Sequence, residues 1–138
     1  MNRVKIEFPA HSVNEGFARM AAAAYLTQFD PTLEDLADVK TAVSEAVTNA
    51  IVHGYGGEEG MVVMTMERRQ NTFRVEVIDT GRGILDVPTA RTPLYTSCPG
   101  EERSGMGFTV METFMDHLTV ESKVGEGTRV IMLKKLGE

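Results

Sequence analysis

The chain has 138 residues, 42% of them apolar and 25% charged, which is one domain's worth of chain, able to bury a core and too apolar to stay disordered. Lys and Arg number 14 against 20 Asp and Glu, a net charge of −6, which disfavours direct nucleic-acid binding and favours a basic partner. The single cysteine, Cys98, excludes an internal disulfide, the longest apolar stretch (Met20 to Leu26) is far short of a membrane span, and the three histidines are scattered, so a cytoplasmic protein with no membrane association and no structural zinc is expected.

Val4, Ile6 and Phe8 alternate with polar residues and predict a short half-buried strand. Ser12-Val13-Asn14-Glu15 has the S-x-x-E form of a capping box and opens a predicted helix to about Phe29, with Phe17, Met20, Ala21, Ala24, Tyr25 and Phe29 at helical spacing. Asp30-Pro31 then reads as a cap and first position of a second helix. Its apolar stripe is Leu36, Val39, Val43, Ala46, Val47, Ala50 and Ile51, and Gly54, Gly56, Gly57 and Gly60 end it. Residues 61–67 and 73–78 are predicted strands joined by a turn at Arg68 to Asn71. Residues 84–104 form a long loop with a short helical piece near Asp86 to Arg91, and loops of this length in compact domains are usually functional. A third helix follows at Gly107 to Met115, then a hairpin of Leu118 to Ser122 and Arg129 to Leu133 across the turn Lys123 to Gly127. The order βααββαββ predicts an α+β, two-layer fold with helices on one face of a mixed, mostly antiparallel sheet.

Four motifs carry chemistry. Glu45 and Asn49 stand four apart on the second helix and share a face that His53 extends. There a carboxylate can take a proton from an attacking hydroxyl, and a carboxamide oxygen can ligate Mg²⁺. Alone, the pair reads more readily as a solvated helix face. Asp79-Thr80-Gly81-Arg82-Gly83 follows a strand, so Asp79 can accept an exocyclic amine while the glycines let a flat ligand approach; D-x-G is also ordinary turn chemistry. Arg103-Ser104-Gly105-Met106-Gly107-Phe108 precedes a helix, where backbone N–H groups and the dipole favour an anion, although a lone G-x-G also makes a plain entry turn. Gly125-Glu126-Gly127-Thr128 makes a hairpin turn with a hydroxyl at its end.

In this order and spacing the set resembles the Bergerat-fold (GHKL) ATPase and kinase superfamily over residues 4–135, and within it the anti-sigma serine kinases. Val43 to Tyr55, Glu102 to Glu112 and Asn14 to Arg19 carry the closer similarity. The resemblance implies one ATP-binding kinase domain over residues 1–138 that uses ATP, ADP and Mg²⁺. Glu45 would be the catalytic base, and Asn49 the metal ligand. Asn49, His53, Asp79, Gly81, Gly83, Ile84, Arg103, Ser104, Gly105, Met106, Gly107, Phe108 and Thr128 would form the nucleotide site. Residues 84–104 would be a lid.

It further implies a homodimer that inhibits a sigma factor of RNA polymerase in its ATP state and phosphorylates a small antagonist protein on serine. A sporulation sigma factor is the expected target. A stress-response target and a histidine-kinase-type catalytic domain are the alternatives. Arg19 reads equally as a partner-binding cation or a solvated charge. One departure stands out: relatives carry a lysine before the lid proline, in T-T-K-P, where this chain has Thr96-Ser97-Cys98-Pro99. Arg103 would then carry more of the phosphate charge.

Overall fold

The structure is a computed structural model that describes residues 2–92 and 107–137. Five strands form one sheet in the order β1-β2-β3-β5-β4: β1 (Arg3–Pro9), β2 (Met61–Arg69), β3 (Thr72–Asp79), β4 (His117–Lys123) and β5 (Gly127–Lys135). Helices α1 (Asn14–Leu26), α2 (Leu33–Asn49) and α4 (Gly107–Phe114) form the second layer, and a short α3 (Val87–Ala90) follows β3. The expected two-layer α+β class holds.

The sheet differs from expectation in one respect: every ladder among the described residues is antiparallel, with no mixed pair. The crossover through α4 does make β4 parallel to β3. The hairpin return then inserts β5 between them, so the parallel strands are never neighbours.

Strand alternation sets the core. Val4, Ile6 and Phe8 of β1 oppose Met66, Met64 and Val62 of β2. The same face continues through Phe73, Val75 and Val77, then Val130 and Met132, all buried against the helices. The stripe on α2 lies where expected, with Val39, Val43, Ala46, Val47, Ala50 and Ile51 all buried. On α1 it is displaced. Ala18, Ala22, Tyr25 and Leu26 are buried, whereas Phe17 and Met20 are 55% and 56% exposed. Small residues face inward, which lets α1 pack close to its neighbours.

The starts of the first two predicted helices also moved. The capping box is absent: Val13 is the N-cap of α1, with no side-chain hydrogen bond. The cap of α2 is Thr32, whose hydroxyl accepts the Asp35 N–H at 2.9 Å. Asp30 instead sits in the left-handed region (φ 58°) and closes a 3₁₀ turn, Thr27–Phe29, at the end of α1. No helix among the described residues is long and apolar enough to cross a membrane.

Candidate functional site

The site forms where α2 meets the end of β3. Beyond Asn49 the helix widens into a π turn, Ala50–Gly54, closed by the Tyr55 N–H on the Ala50 carbonyl at 3.1 Å. Glu45, Asn49 and His53 lie along this run, each half-buried. Such π turns often mark functional positions.

Gly54 ends the π turn directly against the Asp79 carboxyl. A Cβ on Gly54 would stand 2.8 Å from the Asp79 Cγ, and one on Gly81 would stand 2.0 Å from the Gly54 carbonyl oxygen. The Arg82 N–H donates to that carbonyl at 2.9 Å. Two glycines therefore let the helix end and the strand-end turn touch backbone to backbone, a contact that any side chain would force apart.

Asp79 is only 6% exposed. Burial pushes its carboxyl above the usual range, and backbone N–H donors from Gly81 (2.9 Å) and Thr128 counter that only partly. Thr128 is its cross-strand partner on β5 and is also buried. An ionised carboxylate offers about four acceptor positions, so Asp79 can take further donors. An open depression lined by Asp79, Thr80, Ser122, Lys123, Glu126 and Thr128 adjoins it.

Gly83 holds φ +77°, and a Cβ there would stand 2.2 Å from the Lys123 carbonyl oxygen, so the chain crosses the β4–β5 turn at a point only glycine fits. Ile84 follows, and its N–H donates to the Ser122 hydroxyl at 2.7 Å. At the other end of the site, Gly107 opens α4 beside Glu45: a Cβ there would stand 3.4 Å from the Glu45 Oε1. The Phe108 side chain is buried in the core, which leaves its backbone N–H, in the first turn of α4, as its means of contacting a ligand.

The structure thus gathers Glu45, Asn49, His53, Asp79, Gly81, Gly83, Ile84, Gly107, Phe108 and Thr128 around one end of α2. Arg103, Ser104, Gly105, Met106, Cys98 and residues 93–104 of the expected lid lie outside the described residues. Arg19 lies on α1, paired with Glu15 at 3.4 Å.

The sequence reading missed three residues. Tyr55 donates to the Met61 carbonyl at 2.5 Å and accepts the Thr80 N–H at 2.8 Å, bracing the turn beside Asp79. Gly54, besides ending the helix, is the point where it meets the Asp79 carboxyl. Ser122 carried a readable signal: it ends the inward row Leu118, Val120, Ser122 with a hydroxyl where an apolar side chain is the norm.

A two-layer sandwich with a buried strand-end aspartate and a glycine-opened helix start beside a helix carboxylate describes a nucleotide-binding domain. Residues 8–134 match the family described as "Histidine kinase-like ATPase domain". The chain is 60% identical to the anti-sigma F factor of Clostridium novyi over 98% of its own length and 95% of the relative's. It is 55% identical to that of Clostridium botulinum (strain Eklund 17B / Type B), over 97% and 94%. Among solved structures it resembles the RsbU and RsbW domains of a Mycobacterium tuberculosis protein (TM-score 0.73, 22% identity), covering 99% of this chain and 32% of that one. It also resembles the mycobacterial sensor histidine kinase MprB (TM-score 0.61, 14% identity), over 96% and 98%. The chain belongs to the histidine kinase-like ATPase family, in the branch that holds these clostridial anti-sigma F factors.

Proposed function

We propose that this chain, as one domain over residues 1–138, is a cytoplasmic anti-sigma factor and protein serine kinase. It holds a sporulation sigma factor in its ATP state and phosphorylates a small antagonist protein on serine. The observation that carries this is the placement of α2: its polar run begins with Glu45 beside the start of α4 and ends with Gly54 on the Asp79 carboxyl.

The donor set fits a Mg²⁺–adenine nucleotide. Asp79 is a buried acceptor with capacity left for an exocyclic amine, and Thr128 supplies a hydroxyl beside it. Gly107 and Phe108 supply backbone N–H groups at a helix start, where phosphate oxygens are favoured. Asn49 would hold the metal through its carbonyl oxygen. Gly81, Gly83 and Ile84 shape the pocket, His53 extends its polar wall, and Arg103 to Met106 complete the phosphate side. Bound ATP supplies the transferable phosphoryl group. Glu45 takes the proton of the incoming serine hydroxyl, and the remaining residues position and neutralise charge, which is most of what phosphoryl transfer asks of a protein.

Partner contact is assigned to the β1 side. β1 is an edge strand, and next to it α1 exposes Val13, Phe17 and Met20 at helical spacing. Contiguous apolar exposure of this kind marks an interaction surface. We assign the homodimer to this edge and a partner contact to Arg19, whose side chain is partly exposed.

The test combines capture and transfer. Immobilised protein with Mg-ATP should retain a sigma factor from a sporulating-host lysate, and with Mg-ADP a small antagonist. Labelled ATP should give acid-stable phosphoserine on that antagonist, and acid-labile label would instead indicate phosphohistidine. Glu45→Gln should slow transfer by at least about 10²-fold with ADP affinity retained. Transfer near the wild-type rate in that variant would remove Glu45 as the base, and nucleotide-independent capture would end the switching scheme.

A further inference from the structure

Ser122 has no role in the scheme above, yet its hydroxyl is among the most heavily used side-chain oxygens near the pocket. It lies at the inward-facing end of β4, half-buried. Its Oγ accepts the Ile84 N–H at 2.7 Å, lies 2.7 Å from the Thr128 Oγ1, and lies 3.1 Å from the Gly127 carbonyl oxygen. A serine hydroxyl has one proton and two lone pairs. One lone pair is committed to Ile84. The proton then goes either to Gly127 or to Thr128.

The two patterns present different faces to the pocket. With the proton on the Gly127 carbonyl, the second lone pair of Ser122 takes the Thr128 hydroxyl, and Thr128 offers only lone pairs. With the proton donated to Thr128, the hydroxyl proton of Thr128 is released for another acceptor. The edge of adenine pairs an amine donor with a neighbouring ring-nitrogen acceptor. Asp79 can take the amine, and the second pattern gives Thr128 a proton for the nitrogen. Guanine reverses that order, with a carbonyl beside a protonated nitrogen. The same Ser122 oxygen pins Ile84, one residue after the crossing at Gly83, so the chain leaving the pocket is tied to the hydroxyl that reads the base.

We propose that Ser122 is a positioning residue for purine choice: it donates to Thr128, fixes that hydroxyl as a donor toward the base, and anchors the start of the segment after Gly83 to the same point. This rests on the nucleotide reading of the site. It goes beyond that reading in assigning base discrimination to a residue that need not touch the ligand.

The test measures ADP and GDP affinity by calorimetry for the full chain, as wild type, Ser122→Ala and Ser122→Thr. Wild type should favour ADP, and Ser122→Ala should lower the GDP-to-ADP ratio of dissociation constants by about 10-fold, mainly through weaker ADP binding. Ser122→Thr keeps the hydroxyl and should restore the ratio to within about 3-fold of wild type. In wild type the Ile84 amide should gain hydrogen-exchange protection with ADP, and in Ser122→Ala it should not. An unchanged ratio in Ser122→Ala overturns the proposal, because general loosening of the hairpin would weaken both nucleotides alike. If Ser122→Ala does not fold, Ser122→Cys, nearly isosteric with a weak donor, is judged by the same ratio. Wild-type protein that binds neither nucleotide would defeat the nucleotide reading itself, a result distinct from an unchanged ratio.

Discussion

β3 carries two buried carboxylates three residues apart, and they behave in opposite ways. Asp79 faces the helix layer at 6% exposure, and Glu76 faces the helix-free side at 3%. Burial alone would raise both. For Glu76 it is outweighed: Thr65 donates its hydroxyl to Oε1 at 2.7 Å, Arg129 donates to Oε2 through Nε at 2.7 Å and through Nη2, and Arg74 adds a donor at 3.2 Å. The carboxyl is held at about 2. Asp79 is pushed up by burial, which its two backbone N–H donors, Gly81 and Thr128, only partly offset, and it stays above the ordinary range. At similar solvent exposure, Glu76 is a structural group whose hydrogen bonding is completed by side-chain donors, while Asp79, the more deeply set of the two, keeps acceptor capacity. The helix-free face repeats the first solution at Glu67, buried and paired with Arg3 at 3.5 Å and with Arg69.

The largest expected effect follows from that contrast. Asp79→Asn should weaken ADP binding by about 10²-fold or more, since an amide presents a donor where the ligand amine needs an acceptor. Ligand-free stability should be unchanged or slightly higher. The folded-state pKa is raised above the unfolded value, so the folded protein binds that proton more tightly, and ionisation costs stability as pH rises through the raised value. Thermal melts and calorimetry on one sample separate the two, and a variant that loses stability while keeping ADP affinity would reverse the comparison.

Glu76→Gln should do the opposite. It removes the charge that three donor groups converge on, and leaves Arg129 with only the exposed Glu121 carboxylate at 3.6 Å. A loss of about 2 kcal/mol by denaturant melts is expected, with ADP affinity within about 2-fold of wild type. pH adds a second separation. Glu76, depressed from 4.5 to about 2, contributes stability that is present above its unfolded value and lost as pH falls from 4.5 toward 2. ADP affinity should fall on acidification earlier, through the raised Asp79 value, while the fold persists. Coincident loss of binding and fold would mean that Asp79 does not govern the ligand.

Much of this was legible in the sequence, and the failures have physical causes. Asp79, Gly81 and Gly83 were readable because a strand's alternation delivers the aspartate and the glycines punctuate it. Glu45 and Asn49 stand four apart on α2 as their spacing predicts, whereas the π turn that carries His53 leaves no mark in the sequence pattern. The cap of α2 was misplaced because Asp30 and Thr32 are both good cap residues, and only the left-handed turn at Asp30 decides between them. Phe17 and Met20 were assigned to the core because periodicity finds an apolar stripe without saying whether alanines beside it allow closer packing. The network at Glu76 was invisible because cross-strand neighbours depend on sheet order. Arg129 reaches Glu76 only because β5 inserts between β3 and β4.

The smallest effect sharpens the comparison most, because it alters one hydrogen bond and nothing else in the contrast. Thr65→Val keeps the shape and the β-branch that suit its buried place on β2, and it deletes the hydroxyl that Glu76 Oε1 accepts. The arginine contacts to Oε2 remain. Stability should fall by about 1 kcal/mol, the usual net worth of one buried hydrogen bond. The Glu76 carboxyl, followed by NMR titration, should rise from about 2 toward the ordinary carboxylate range. ADP affinity should not move. A Glu76 carboxyl that stays near 2 would mean the arginines alone hold it there. The two carboxylates of β3 would then differ through cationic partners on the helix-free face, rather than through how completely their hydrogen bonding is filled.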